Sequence, residues 1–256
     1  MTTVLAFDTA TAAVAVAVGR IEADGSCEVL ATADKVRPRA SMTLLLPMVE
    51  EALDRAGISI DDVEAVAVGR GPGSYTGVRI GMAAAKGLAQ GLGVPLAGFG
   101  TLDAVAFNFT GRVEGLVGVV GDAMRGEVYP ALFSLEGPHP RRLTPDTVAD
   151  PNHVASQWSR STEAPVLLAG DGLAKHADVF LERLGERARV AGEQLWLPRG
   201  GSCLACVAAL GEQAFKQPGA VLPVYTRLAD AEHAEGRAGV PESGVAGPPE
   251  EAGWSS

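Results

Sequence analysis

Residues 69–95 read GRGPGSYTGVRIGMAAAKGLAQGLGVP, a cluster of glycines that leaves an apolar strand and enters a helical pattern. A strand, a glycine turn and a helix in that order indicate an α/β protein. The turn matches neither standard nucleotide motif. A P-loop requires GxxxxGK[ST], whose lysine reaches the β and γ phosphates. Gly71 to Gly77 has the wrong spacing, and Val78 stands where that lysine belongs. A dinucleotide fingerprint requires G-x-G-x-x-G. Gly69-Arg70-Gly71-Pro72-Gly73 lacks its last glycine. A turn of this kind still aims backbone N–H groups at whatever precedes the helix. Ser74, Tyr75 and Thr76 add hydroxyls, and Ser74 or Thr76 can cap the helix. Gly71, Gly73, Ser74 and Thr76 are therefore candidates for a nucleotide contact, with a plain turn and cap as the competing reading.

Within the helix, Gly77, Gly81 and Ala85 recur every four residues, so one face is almost bare backbone. Two uses stand open. The stripe can pack against the chain's own sheet, or it can admit a helix from a partner, with Met82 and Ala89 beside it.

Working outward, TVLAFDTATAAVAVAVG reads as two strands joined by a turn at Asp8-Thr9, and SCEVLATADK as a third. SMTLLLPMVEEALDRAG reads as a helix kinked or begun near Pro47 and ended by Gly57. Past Gly111 the plan restarts. GLVGVVGDAMRGEVYPALFSLEG is again strand, aspartate, turn and strand, so Asp8 and Asp122 occupy equivalent places. A polar segment, the strand PVLLAGDG and two more helices follow. The repeat implies duplication, with one lobe over 1–110 and a second over 111–228, whose last helix can pack back on the first lobe. Composition predicts a disordered acidic Gly/Pro-rich tail over 229–256.

The formal charge is −10, and six acids against Arg237 from residue 229 onward supply half of it. Such a balance disfavours a general nucleic-acid binder, which needs clustered Lys and Arg. Arg37, Arg39, Arg70 and Arg79 could form only a local patch. With 5% aromatic residues, base-stacking platforms are sparse. Cys203 and Cys206 have CxxC spacing but no second pair, and their apolar surroundings suit buried thiols. The amino terminus lacks a basic region before its apolar run, and no run reaches the length of a membrane span, so a cytoplasmic protein is expected.

His139, His153, His176 and His233 form no HExxH motif or i, i+4 pair, and no GxSxG elbow is present. Asp8 and Asp122 are the best-placed carboxylates. In a two-lobed ATPase they would hold Mg²⁺ and orient water. Alternatively each closes its hairpin turn through side-chain hydrogen bonds. Turn closure is preferred for Asp122, and both readings stand for Asp8.

VLAFDTAT, LLLPMVEEAL, VGRGPGSYTGVRIGMAAAKGLA, GDAMRGEVY, AGDGLAKHADVF and PVYTR together resemble the TsaB (YeaZ) family, from Thr3 to about Arg227. The resemblance implies a duplicated two-lobe actin/Hsp70/hexokinase-like (ASKHA) α/β fold. It also implies a non-catalytic subunit that pairs with a homologous TsaD-type transferase in forming threonylcarbamoyladenosine in tRNA, beside the anticodon. A TsaE-like ATPase joins the larger assembly, and tRNA is contacted only indirectly. TsaD uses a helical histidine pair for metal, whereas this chain reads Arg39-Ala40-Ser41-Met42-Thr43, without histidine; many TsaB members carry His-Ser where Ala40-Ser41 stand. The superfamily's first phosphate loop reads D-x-G-[ST], whereas Asp8-Thr9-Ala10-Thr11 lacks the glycine. No tightly bound cofactor is expected, which leaves ATP or ADP to the partner interface. In this reading the interface is Leu45, Leu46, Met48, Gly77, Arg79, Gly81, Met82, Ala85 and Lys86, a face that also suits a homodimer. The competing function is a free-standing ATPase or small-molecule kinase.

Overall fold

A computed structural model describes residues 1–226; the tail predicted over 229–256 lies outside the described residues. The first sheet opens with β1 (Thr2–Asp8), β2 (Ala13–Ile21) and β3 (Cys27–Val36), an antiparallel run. Helix α1 (Ser41–Ala56) crosses to β4 (Ala65–Gly69), which pairs parallel with β1. Helix α2 (Tyr75–Leu92) then crosses to β5 (Leu96–Phe99), parallel with β4, and α3 (Thr101–Phe107) follows. The near-unbroken burial of β1, β2 and β4 follows from Val, Ala and Leu on both faces, as a sheet covered on both sides requires.

The second sheet repeats this plan element by element. β6 (Leu116–Asp122), β7 (Val128–Ser134) and the two-residue β8 (Arg141–Arg142) run antiparallel. Helix α4 (Pro151–Ser161) leads to β9 (Val166–Ala169), parallel with β6. Helix α5 (Leu173–Leu184) leads to β10 (Ala188–Val190), parallel with β9, and α6 (Gly200–Leu210) follows. The strand orders are β11-β5-β4-β1-β2-β3 and β10-β9-β6-β7-β8. Removing β11 (Phe215–Lys216) makes them the same order. This is the duplicated two-lobe ASKHA plan.

Two elements blur a cut at residue 111. α6 packs on β1, β2 and β3, with Cys203, Leu204, Cys206 and Val207 sealing the first sheet's outer face. β11 then joins that sheet beside β5. The first lobe therefore takes residues from both ends of the chain. Both thiols are buried, and desolvation holds their pKa well above the ordinary value. The two sheets share α3. Leu102, Val105 and Phe109 pack on Val117, Val119 and Phe133 of the second sheet, while Ala104 faces the first. Asp103 on α3 pairs with Arg142 of β8 at 2.7 Å, fixing the join.

Helix α1 begins at Ser41 and carries Pro47 inside, so the helix does not start near the proline. Gly57 closes it in the left-handed region, as expected. Helix α4 lies in the segment read from the sequence only as polar. Its start is nevertheless marked, since Asp150 caps it through the N–H groups of Asn152 and His153 and Pro151 follows at the first helical position.

Candidate functional site

The carboxyl end of β1 meets the glycine turn at Asp8. One oxygen accepts from Ala10 N at 2.7 Å, and the other from the Thr101 hydroxyl at 2.7 Å. Thr101 Oγ1 in turn accepts from Gly71 N at 3.1 Å. Asp8 thus ties the first hairpin to the glycine turn and to the start of α3. It is 1% exposed. Burial raises its pKa against the opposing pull of Thr101 and Ala10. A carboxylate so enclosed, with both oxygens engaged, does not fit a metal ligand open to a nucleotide.

The hairpin turn is occupied from the other side as well. Ser74 N donates to Ala10 O at 2.6 Å, and the Thr9 hydroxyl donates to Gly77 O at 2.7 Å. Ser74 Oγ accepts from Gly77 N at 3.2 Å and caps α2, whereas Thr76 is exposed and caps nothing. Gly73 lies against the Ala10 carbonyl and its side chain. The first hairpin turn is thus packed by the chain's own glycine turn. Asp8, Gly71, Gly73 and Ser74 lie together, with Asp8 buried and the group joined by hydrogen bonds through Thr101 and Ala10.

The small stripe of α2 also faces inward, which corrects the partner-facing reading. A Cβ on Gly77 would overlap the Thr9 carbonyl oxygen, and one on Gly81 would overlap Thr9 Oγ1. Ala85 and Met82 lie in the core with Leu45 and Met48 of α1. The physical reason is the first hairpin. Its turn leans over β4, and only glycine lets α2 approach it closely. Gly77, Gly81, Met82, Ala85, Leu45 and Met48 are consequently unavailable to a partner in this conformation.

Leu46, Arg79 and Lys86 remain from the predicted interface. Leu46 is 57% exposed, Arg79 is exposed and Lys86 half-buried. The outward face of the helix pair adds two residues that the predicted interface did not include: Met42, 75% exposed, and Tyr75, 54% exposed. Met42 stands one turn before Leu46, so the spacing alone could have found it. On α2 the outward surface is again small, but shifted in register to Ala83, Gly87 and Gly91, and the two glycines have no heavy atom within 4 Å of an added Cβ.

In the second lobe, Asp122 Oδ1 accepts from Met124 N at 2.9 Å, matching the Asp8 turn. Its other oxygen pairs with Lys175 at 2.5 Å, and its backbone N–H donates to Asp171. Burial raises the Asp171 pKa. Among the described residues no group of three or more His, Cys, Asp or Glu side chains could hold a metal ion.

Known proteins bear out the fold and the motif pattern. The family model for TsaD, tRNA N6-adenosine threonylcarbamoyltransferase, matches residues 35–195. The tRNA threonylcarbamoyladenosine biosynthesis protein TsaB of Bacillus subtilis is 32% identical over 192 residues, covering 73% of this chain and 80% of that protein. The chain belongs to the TsaB (YeaZ) family. TsaB of Escherichia coli is 42% identical over 132 residues, which span 51% of this chain and 54% of that one. The solved structure of YeaZ from Pseudomonas aeruginosa superposes with a TM-score of 0.72 at 32% identity, covering 88% of this chain and all of that one. Among the described residues of this TsaB-family chain, no helix is long and apolar enough to cross a membrane.

Proposed function

We propose that this chain is a non-catalytic subunit that pairs with a TsaD-type transferase and supports threonylcarbamoyladenosine formation in tRNA, next to the anticodon. The observation that carries the reading is a division of labour between two surfaces. The turn where a superfamily enzyme would work is closed around Asp8. The α1–α2 face beside it instead presents Met42, Leu46 and Tyr75 to solvent. Exposed apolar side chains gathered on one helix pair indicate a docking surface. The match of the TsaD model to residues 35–195 supports a partner built on the same plan. Two homologous helix pairs meeting face to face would form a four-helix contact.

In this assembly the transferase supplies the catalytic groups, a TsaE-like ATPase joins later, and tRNA is met mainly through the partner. Any ATP or ADP lodges at the subunit interface and not in the Asp8 turn. In the partner's absence the same face serves a homodimer, and the site of action is the cytoplasm.

The test is co-purification with the TsaD-type subunit of the same cell. Wild type is expected to form a stoichiometric complex, and Leu46→Asp to lose it while melting at the wild-type temperature. Mg-ATP turnover by the isolated chain, abolished by Asp8→Asn, would overturn the reading in favour of a free-standing ATPase or kinase.

A further inference from the structure

The last described residues return to α2. Val221 is buried in the core beside the helix, and Val224 N donates to Arg70 O at 2.8 Å, so 221–226 form a strap across the glycine turn. The strap delivers Tyr225 to the outward side of the helix. The Tyr225 ring lies 5.6 Å from that of Tyr75, and its hydroxyl accepts from Arg79 Nε at 3.3 Å. The Arg79 guanidinium carbon sits 3.9 Å over the Tyr75 ring. Tyr225 is 49% exposed, so this Tyr-Arg-Tyr cluster faces solvent at the start of α2.

Charge gives the cluster a direction. The chain is acidic overall, yet the 18 residues of α2 contain Arg79 and Lys86 and no acid. Among the described residues neither cation has a carboxylate within ion-pair distance. The two are seven residues apart, so they lie on one side of the helix roughly 10 Å from each other. The chemistry of Arg79 is more specific. Among the described residues Tyr225 takes the Nε proton and nothing accepts from the two terminal nitrogens, which form a fork matched to a carboxylate. Stacking on Tyr75 and the bond to Tyr225 hold a side chain that otherwise loses much rotamer freedom on pairing.

We propose that Tyr75, Arg79 and Tyr225 form a pre-organised carboxylate receptor within the docking face, and that the protein partner presents an Asp or Glu side chain to it. Arg79 makes the ion pair. Tyr225 is a positioning residue, and the carboxy-terminal strap becomes part of the interface although it is 146 residues distant from Arg79 in the chain. The assignment rests on the proposed pairing with a TsaD-type subunit.

Calorimetric titration with that subunit at two salt concentrations separates the two ideas. Arg79→Gln is expected to weaken binding by about tenfold and to flatten its salt dependence, as loss of a charge-assisted contact requires. Tyr225→Phe keeps the ring and loses the hydroxyl, so it should weaken binding by a smaller factor, about threefold, and retain the salt dependence. Leu46→Asp abolishes binding under either idea and serves as the control for the docking face. Wild-type affinity and salt dependence in Arg79→Gln, with Leu46→Asp unable to bind, overturn the receptor and leave the pairing intact. No binding by wild type overturns both.

Discussion

At the end of β1, Asp8 takes the N–H of Ala10 on one carboxylate oxygen; at the end of β6, Asp122 takes the N–H of Met124 in the same way. The hairpins they close are copies of one plan. Their second oxygens differ. Asp8 turns inward to Thr101 and is sealed by the glycine turn, whereas Asp122 meets Lys175 at the surface. Duplication supplies two potential catalytic carboxylates, but packing decides whether either one reaches solvent. In the first lobe the decisive packing is α2, brought close by Gly77 and Gly81. The same approach that shuts the turn leaves the opposite side of α2 exposed.

The contrast can be broken most severely at Gly77. Gly77→Val forces a side chain into the Thr9 backbone, and a loss of at least about 4 kcal/mol of stability is expected, enough to prevent folding. Soluble yield and urea unfolding would show it. The same holds in lesser degree for Gly81, where the first obstacle is a hydroxyl. A pairing defect after bulky substitution at either glycine would therefore report a damaged fold.

Next in size is the difference between the two aspartates. Asp8→Ala strands the Thr101 hydroxyl and Ala10 N–H in the interior and should cost about 2–3 kcal/mol. Asp122→Ala removes a surface ion pair and a turn contact, and about 1 kcal/mol is expected. Equal losses in denaturant titrations would mean that the two turns are equally buried in solution.

Acidity sharpens the contrast further. Burial raises the Asp8 pKa, so the folded chain keeps its proton where the unfolded chain has released it. The stability this brings is full below the unfolded carboxylate value of about 3.9 and is lost as pH rises through the folded value. Asp103 and Asp171 shift in the same direction, also through burial. Asp8→Asn is expected to flatten the fall in stability that sets in above about pH 4. Parallel slopes for wild type and Asp8→Asn would contradict a buried Asp8.

The smallest effect lies on the outward face. Gly87 has open space where a Cβ would sit, so Gly87→Ala should raise stability by about 0.5–1 kcal/mol through helix propensity alone. A destabilised variant would place something against that face already within the monomer.

The contrast also explains what the sequence could and could not disclose. The repeated strand–aspartate–turn–strand pattern was legible because alternation and turn chemistry are local, and both hairpins and the Gly57 and Ser74 caps follow from it. The stripe Gly77–Gly81–Ala85 was visible as a small face, but its direction depends on Thr9, which lies 68 residues away from Gly77. Periodicity says that a helix has faces; only the tertiary neighbours say which face is inside. Polar composition hid α4, although its Asp-Pro start carried the signal. Thr101 and Tyr225 act through contacts 93 and 146 residues long, with no local mark on either partner.

The most direct test of the whole account is reconstitution of tRNA modification with the TsaD-type subunit, comparing wild type, Asp8→Asn and Leu46→Asp. If the chain acts by assembly, Asp8→Asn supports threonylcarbamoyladenosine formation at a rate close to wild type, and Leu46→Asp supports none. The reverse pattern, with Asp8→Asn inactive in an intact complex and Leu46→Asp fully active, would contradict the division between a closed turn and a working face.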